Sequence, residues 1–328
     1  MKAIVQDTYG SADVLRLDDV PSPAFGANDV LVRVHAAGVD PGVWHLMTGR
    51  PYLVRALGFG LRAPKVRVRG RDLSGVVEAV GSAVTRVAVG EEVFGTCESG
   101  SFAELAVARE ARLAHKPAAL SFEQAATVPI SGVTALQAVR DVARVSPGQR
   151  VLVIGAGGGV GSFAVQIAVA YGASVTGVCS AANADLVRSL GAGDVIDYAV
   201  AEIDAHGPVY DAVIDTAGNR PLSVLRRALA PEGVAAIVGG EAGTGSVLGG
   251  FERQLAAPLF SIRGGQKLRP VTAKETAVDL EVLVELIGSG AVTPAVGRVY
   301  PLAEAPLAIR DNHAGHAHGK SVVTVVAD

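Results

Sequence analysis

Cysteine is scarce in this chain, with only Cys97 and Cys179, and aromatic residues make up 5% of its 328 positions. Two cysteines cannot frame a disulfide-stapled domain or a four-cysteine zinc lobe, and they suit a reducing, cytoplasmic compartment. An excess of positive charge is also missing. Lys and Arg number 29 against 32 Asp and Glu, a net of −3. Nucleic-acid binders ordinarily display a basic face, so no nucleic-acid partner is expected. The first residues, Met1-Lys2-Ala3-Ile4-Val5, lack the apolar run of a secretory signal. Residues 151–184 carry no charge and place Gly157 and Gly161 at GxxxG spacing. The glycines at 157–159 interrupt that run, so no spanning helix and no membrane partner are expected.

What is present is apolar residue and glycine. Apolar residues reach 49%, with 40 glycines and a mean hydropathy of +0.37. A chain of this length holds about two domains and can build its cores without metals or disulfides. The first stretch reads as short strands at 2–6, 30–36, 75–80 and 92–95, separated by Pro, Gly, Asn and Asp, which suggests an irregular β-barrel or sandwich. Residues 120–143 turn to helical period, with Ser121 as N-cap. From Arg150 strands and helices alternate. Strands are expected at 151–154, 174–178, 194–197, 212–215 and 234–238, with a sixth at 259–262. Helices are expected at 160–171, at 184–190 behind an Asn183 cap, and at 222–229. Repeated βαβ units of this kind form a parallel, doubly wound sheet. A helix at 274–287 and a strand at 321–326 close the chain and are too short to be a domain.

The most informative segment follows the strand at 151–154. It reads Gly155-Ala156-Gly157-Gly158-Gly159-Val160-Gly161 and leads into a helix. That context confirms a dinucleotide-binding turn. The pattern is AxGxxG through Ala156, Gly158 and Gly161. Glycine at 158 lets the backbone approach a pyrophosphate, and glycine at 161 lets the helix close on the sheet. The helix N-terminus supplies free N–H groups and a partial positive charge. NAD sites carry an Asp or Glu at the end of the second strand to hold the ribose. Here that place holds Ser180, Ala181, Ala182 and Asn183, with Arg188 further on. Neutral donors tolerate a 2′-phosphate, so NADPH is the expected cofactor.

The order of motifs resembles the medium-chain dehydrogenase/reductase superfamily, in its zinc-independent quinone oxidoreductase branch. The resemblance rests on Ala37-Gly38-Val39-Asp40-Pro41, Gly70-Arg71-Asp72-Leu73-Ser74-Gly75, Gly90-Glu91-Glu92-Val93-Phe94-Gly95, Ser131-Gly132-Val133-Thr134-Ala135, the glycine turn, Val195-Ile196-Asp197-Tyr198 and Gly319-Lys320. It implies a GroES-like catalytic domain begun by residues 1–122 and completed by 263–328, a Rossmann domain at 123–262, and an active site in the cleft between them. Zinc-dependent relatives carry a cysteine just after the glycine that corresponds to Gly38, a histidine where Arg71 stands, and a third ligand before the first Rossmann strand. Here the positions hold Val39 and Asp40, then Arg71, and nothing from 124 to 135 is Cys or His.

The resemblance also implies roles for single residues. Tyr52 lies near the functional tyrosine of related enoyl reductases and is the candidate hydrogen-bond donor; a packed tyrosine is the plain reading. Asp40 takes a position that is often Asn and lines the nicotinamide pocket. Trp44 either walls the substrate site or packs the barrel. Thr134, Thr216, Val238, Gly239, Gly240, Ser261, Ile262 and Lys320 fall at positions near the cofactor, and Tyr198 beside its adenosine. The strand expected at 259–262 would be a dimer edge, giving a homodimer. His313, His316 and His318 read as a polar turn before a metal site, and Arg62, Lys65, Arg67 and Arg69 as a solvated face before a phosphate contact.

Without a Lewis acid, the expected substrate is already electrophilic: a quinone or an α,β-unsaturated carbonyl, reduced by hydride from NADPH. The alternatives are an enoyl or enone reductase of a biosynthetic pathway, and a catalytically idle NADPH-binding structural or regulatory protein.

Overall fold

The computed structural model of the chain describes residues 1–205, 207, 209–239, 249, 251–261, 265–315 and 318–325, the side chains of Leu57, Phe251 and Phe260 excepted. The chain divides into two compact units. One comprises Met1–Ser131, Glu275–Gly288 and Pro294–Asp328, the other Gly132–Lys274 and Ser289–Thr293.

The first unit begins with the antiparallel hairpin β1 (Lys2–Val5) and β2 (Arg16–Asp19). Strand β3 (Asp29–Gly38) then leads into two short helices, α1 (Pro41–Thr48) and α2 (Tyr52–Val54). Strands β4 (Asp72–Val80), β5 (Glu92–Thr96), β6 (Leu105–Arg109) and β7 (Leu113–His115) follow. Strands β3, β4 and β5 are buried over most of their length, and Phe102 and Met47 are fully buried in the unit's main core.

The helical stretch expected over 120–143 is broken. It forms α3 (Phe122–Ala126), α4 (Pro129–Gln137) and a π-helical turn, Ala138–Ala143. Pro129 is the cause, because it has no N–H for the preceding turn and suits only a first helical position. Ser121 does cap α3. Its hydroxyl accepts from the Gln124 N–H at 3.2 Å, and the Gln124 side chain accepts from the Ser121 N–H at 3.0 Å, a complete capping box.

The second unit carries β8 (Arg150–Ile154), α5 (Gly159–Ala170), β9 (Ser174–Cys179), α6 (Ala184–Ser189), β10 (Asp194–Asp197), β11 (Tyr210–Asp215), α7 (Leu222–Ala228), β12 (Leu229–Ile237), α8 (Phe251–Ala256) and β13 (Lys267–Pro270). All pairs in its six-stranded sheet are parallel, in the order β10-β9-β8-β11-β12-β13. In order of sequence this is 3-2-1-4-5-6, the doubly wound arrangement. The sixth strand is not where the sequence placed it. Ala257–Ser261 is a 3-10 turn, Ile262 lies outside the described residues, and β13 takes the edge. Ser261 is tied to that strand, its hydroxyl accepting from the Leu268 N–H at 2.8 Å. Three apolar residues among the four after Pro258, Leu259, Phe260 and Ile262, suit a tight helical turn as well as a strand, and periodicity cannot separate the two.

The remaining chain forms α9 (Ala277–Gly288), β14 (Val296–Pro301), α10 (Ala305–His313) and β15 (Lys320–Thr324). The two strands extend the first unit's sheet, in the order β14-β15-β3-β4-β5-β7 with β6 on β3. Strand β14 escaped the sequence reading because Gly297 and Arg298 spoil its alternation. Among the described residues no helix is long and apolar enough to cross a membrane.

Candidate active site

In a doubly wound sheet, ligands bind outside the carboxyl ends of the strands where the order reverses. Here that point lies between β8 and β11, and the glycine turn follows β8 directly. Gly155 has φ +82°, and a Cβ there would stand 2.6 Å from the Thr216 hydroxyl oxygen. Gly158 caps α5 and its N–H donates to the Gly155 carbonyl at 3.0 Å. A Cβ at Gly161 would come within 2.0 Å of that same carbonyl, so only glycine lets the helix start so close to the strand. The N–H groups of Gly159, Val160 and Gly161 form the first helical turn and have no intrahelical acceptor. Beside them the space is open: a Cβ on Gly158 would meet nothing nearer than the Gly155 carbonyl, at 3.4 Å. Open room next to free donors at a helix N-terminus fits a pyrophosphate.

The other cofactor candidates of this unit gather at the same strand ends. Thr216 follows β11 and donates to the Ile154 carbonyl at 2.7 Å. Gly239 follows β12, and a Cβ on it would meet the Thr216 carbonyl at 2.4 Å. Val238 donates its N–H to Asp215. Ser180 follows β9, and the Asn183 side chain lies against the turn, 2.7 Å from where a Gly157 Cβ would be. Asn183 does not cap α6 with its side chain; its backbone is already helical, at φ −96° and ψ −3°, whereas side-chain capping needs an extended residue. Tyr198, exposed, donates its N–H to the Cys179 carbonyl at 3.2 Å. Ala156 is buried under the turn and Thr134 in α4. Gly240 and Ile262 lie outside the described residues. Ser261 spends its hydroxyl on β13, as described above.

One element of this half was missed in the sequence. Asp215, fully buried at the end of β11, accepts from Arg253 of α8 at 2.7 Å and from the Gly218 N–H at 3.1 Å. Gln254 donates to the Val238 carbonyl at 3.0 Å. Together they fasten α8 to the strand ends that carry Thr216 and Val238. The only signal in the sequence was an acid ending an apolar strand.

In the first unit, Asp40, Arg71 and Asp72 belong to a group of charged side chains that are wholly or partly buried. Arg71 donates to Glu275 at 2.6 Å, and Glu275 also accepts from Thr96 at 3.1 Å and Arg112 at 3.3 Å. Burial lowers the Arg71 pKa, but Glu275, Asp40 and Asp72 outweigh it and hold the guanidinium above its usual value. Asp72 is wholly buried, accepts from the Ile130 N–H at 2.8 Å, and pairs with Lys320. Burial drives the Asp72 carboxyl upward, and the Lys320 ammonium opposes it. Lys320, expected near the cofactor, is itself buried in this pair. Asp40 is buried as the residue before α1, and its Oδ2 has no hydrogen-bond partner. The Cys97 thiol is pushed up to about 12 by burial, which makes it inert. Among the described residues no three His, Cys, Asp or Glu side chains converge as a metal set.

Trp44, on α1, is stacked against His313 of α10, with ring centroids 3.7 Å apart, and packs on the first unit's core. His316 lies outside the described residues. Tyr52 opens α2 and is 45% exposed. The Arg55 guanidinium lies 4.9 Å from its ring centroid and 4.3 Å from that of Tyr9. Of the basic run, Arg67 pairs with Asp7 at 2.6 Å and Arg69 is buried, which brings its guanidinium down to about 10, still charged at neutral pH.

A doubly wound sheet with an open glycine turn, in one chain with a β-rich unit completed by its own C-terminal strand, defines a dinucleotide-dependent oxidoreductase of two-unit architecture. Comparison with known proteins gives the family. Residues 26–118 match the alcohol dehydrogenase GroES-like domain and residues 190–323 match the zinc-binding dehydrogenase domain. The chain is 31% identical to the mitochondrial NAD(P)H oxidoreductase RTN4IP1 of Bos taurus, over 99% of this chain and 89% of that one. It is 32% identical to the chloroplast envelope quinone oxidoreductase homolog of Arabidopsis thaliana, over 98% of each. A mycobacterial protein solved in complex with NADPH superposes with a TM-score of 0.82 at 29% identity, over 99% of this chain and 100% of that one. The chain belongs to the medium-chain dehydrogenase/reductase superfamily, in its quinone oxidoreductase-like branch.

Proposed function

We propose that the protein uses NADPH to reduce a quinone or another conjugated carbonyl, without zinc. The observation that carries this reading is the pairing of a glycine turn open at Gly158 with a β9 end that offers Ser180 and Asn183 in place of an acid. A carboxylate there would repel a 2′-phosphate; neutral donors accept it. The reading without zinc rests on the donor set: Val39 and Asp40 replace a cysteine, and Arg71 is held in an ion pair by Glu275. Arg and Val are not ligands for zinc.

When bound, the reduced nicotinamide supplies the hydride. The chain's own part is to bind, orient and stabilise charge. The free N–H groups at 159–161 and the Thr216, Val238 and Gly239 backbone hold the cofactor in the second unit. In the first unit the Tyr52 hydroxyl, which has no partner among the described residues, donates to the substrate oxygen as negative charge builds there. Arg55 beside its ring favours that polarisation. Asp40 offers the unpartnered Oδ2 as an acceptor that orients the bound ligand. Trp44, stacked on His313, sets the position of the helix that Asp40 begins. A homodimer belongs to this reading through β13, an edge strand among the described residues, since such edges favour pairing. A reducing, cytoplasmic compartment suits the free cysteines, while the two relatives above are named mitochondrial and chloroplastic.

The deciding experiment is turnover of NADPH and NADH against a panel of quinones and enones, with metal analysis of the same sample. Quinone-dependent NADPH oxidation in zinc-free protein is the expected result. Saturated product from enones alone would move the substrate to the enoyl class. Stoichiometric zinc, or tight NADPH binding with no turnover of any acceptor, would overturn the reading.

A further inference from the structure

Between residues 41 and 71 the chain has seven Lys and Arg residues and no Asp or Glu, in a protein of net charge −3. Four of these cations are engaged within the fold. Arg67 pairs with Asp7, Arg71 pairs with Glu275, Arg69 is buried, and Arg55 lies over the rings of Tyr9 and Tyr52. The other three, Arg50, Arg62 and Lys65, are exposed and form no ion pair among the described residues. Large apolar side chains share the same stretch in the open. Leu61 is 73% exposed, Phe59 47%, Val66 40% and Leu53 37%.

The segment is ordered by its own backbone. The Lys65 N–H donates to the Phe59 carbonyl at 2.9 Å, which closes residues 59–65 into a loop. The Tyr9 hydroxyl donates to the carbonyls of Phe59 and Gly60 at 3.1 and 2.7 Å and anchors its base. The result is a fixed loop with Leu61 and Arg62 at its tip, and Phe59 and Lys65 at its neck. Apolar side chains in the open along one short stretch with unpaired cations have the composition of an interaction surface.

We propose that this loop face docks the protein on an anionic lipid bilayer. Leu61 and Phe59 enter the interfacial layer, and Arg50, Arg62 and Lys65 meet lipid phosphates. A second copy presenting the same face would set like charges against each other. Nucleic acid would match the cations but give no use to aliphatic Leu53, Leu61 and Val66, because bases stack on aromatic rings. The proposal revises the sequence expectation of no membrane partner, which considered only spanning segments. It does not rest on the reading of the cofactor or the substrate.

The test is flotation of the full chain with vesicles of phosphatidylcholine alone and of phosphatidylcholine mixed with phosphatidylglycerol, without cofactor or substrate. Binding is expected to the anionic vesicles only, and to fall as salt is raised. Arg62→Glu with Lys65→Glu should weaken it at least about tenfold, from the attraction carried by each cation near such a surface. Leu61→Asp should weaken it too, and Arg109→Glu, an exposed cation on β6, should leave it unchanged. All these sites are exposed, so unaltered thermal melts will show that the variants are folded. No binding to anionic vesicles, equal binding to both kinds, or binding that survives both loop variants would overturn the proposal. So would a shift to a dimer lost in Leu61→Asp, or salt-sensitive binding to DNA with none to vesicles.

Discussion

Three side chains give sharp predictions at the scale of the residue. Tyr52→Phe removes the proposed donor from an exposed side chain, so kcat should fall by about 10²–10³, the usual cost of losing one oxyanion donor, with the melting temperature unchanged. A small effect on kcat would return Tyr52 to its plain reading as a surface residue. The Lys320–Asp72 pair is buried on both sides. Lys320→Ala leaves a buried carboxylate unpaired and should cost about 3–5 kcal/mol in denaturant unfolding. Replacing both partners by apolar residues of similar volume should cost much less. Trp44 is the one tryptophan in the chain, and His313 covers its ring. Burial, and the nearby His45, lower the His313 pKa from 6.5. The folded state thus favours the neutral ring. That contribution to stability is present above about pH 6.5 and is lost as pH falls toward the lower folded value. Tryptophan fluorescence should titrate with a midpoint below 6.5, and His313→Phe should abolish the titration.

The glycine turn allows two effects to be separated at the scale of the element. Gly161→Ala drives a Cβ into the Gly155 carbonyl at 2.0 Å, so both fold stability and cofactor affinity should fall, stability by more than about 2 kcal/mol. Gly158→Ala meets only ordinary contact at 3.4 Å. Its methyl would instead occupy the room left for the pyrophosphate. The expected result is NADPH binding weakened by about ten- to a hundredfold with little change in melting temperature. If both variants bind NADPH as the parent does, the turn is structural only. This element was legible in the sequence because strand, glycine spacing and helix are contiguous. The turn at Ala257–Ser261 was not. Leu259, Phe260 and Ile262 supply apolar character to either conformation, and the choice was made by a contact with Leu268 further along the chain. The break between α3 and α4 could have been read from Pro129 alone.

For the whole molecule, ligand linkage provides the measure. A cofactor that binds only the folded protein stabilises it by about 2.7 kcal/mol at a hundred times its Kd. In calorimetry NADPH should therefore raise the unfolding temperature, and NADH at the same concentration should raise it less. Equal shifts would contradict the preference read from the end of β9.

The sequence by itself determined the doubly wound sheet, the glycine turn and the family, because each rests on residues close together along the chain, where spacing and propensity act directly. Tertiary structure alone decided which charges meet. Arg71 and Glu275 lie 204 positions apart, and Lys320 and Asp72 lie 248 apart. It also decided that Arg69 is buried while Lys65, four residues earlier, faces solvent unpaired. The energy of a charge depends on what surrounds it in three dimensions, and that environment is assembled only when distant strands pair.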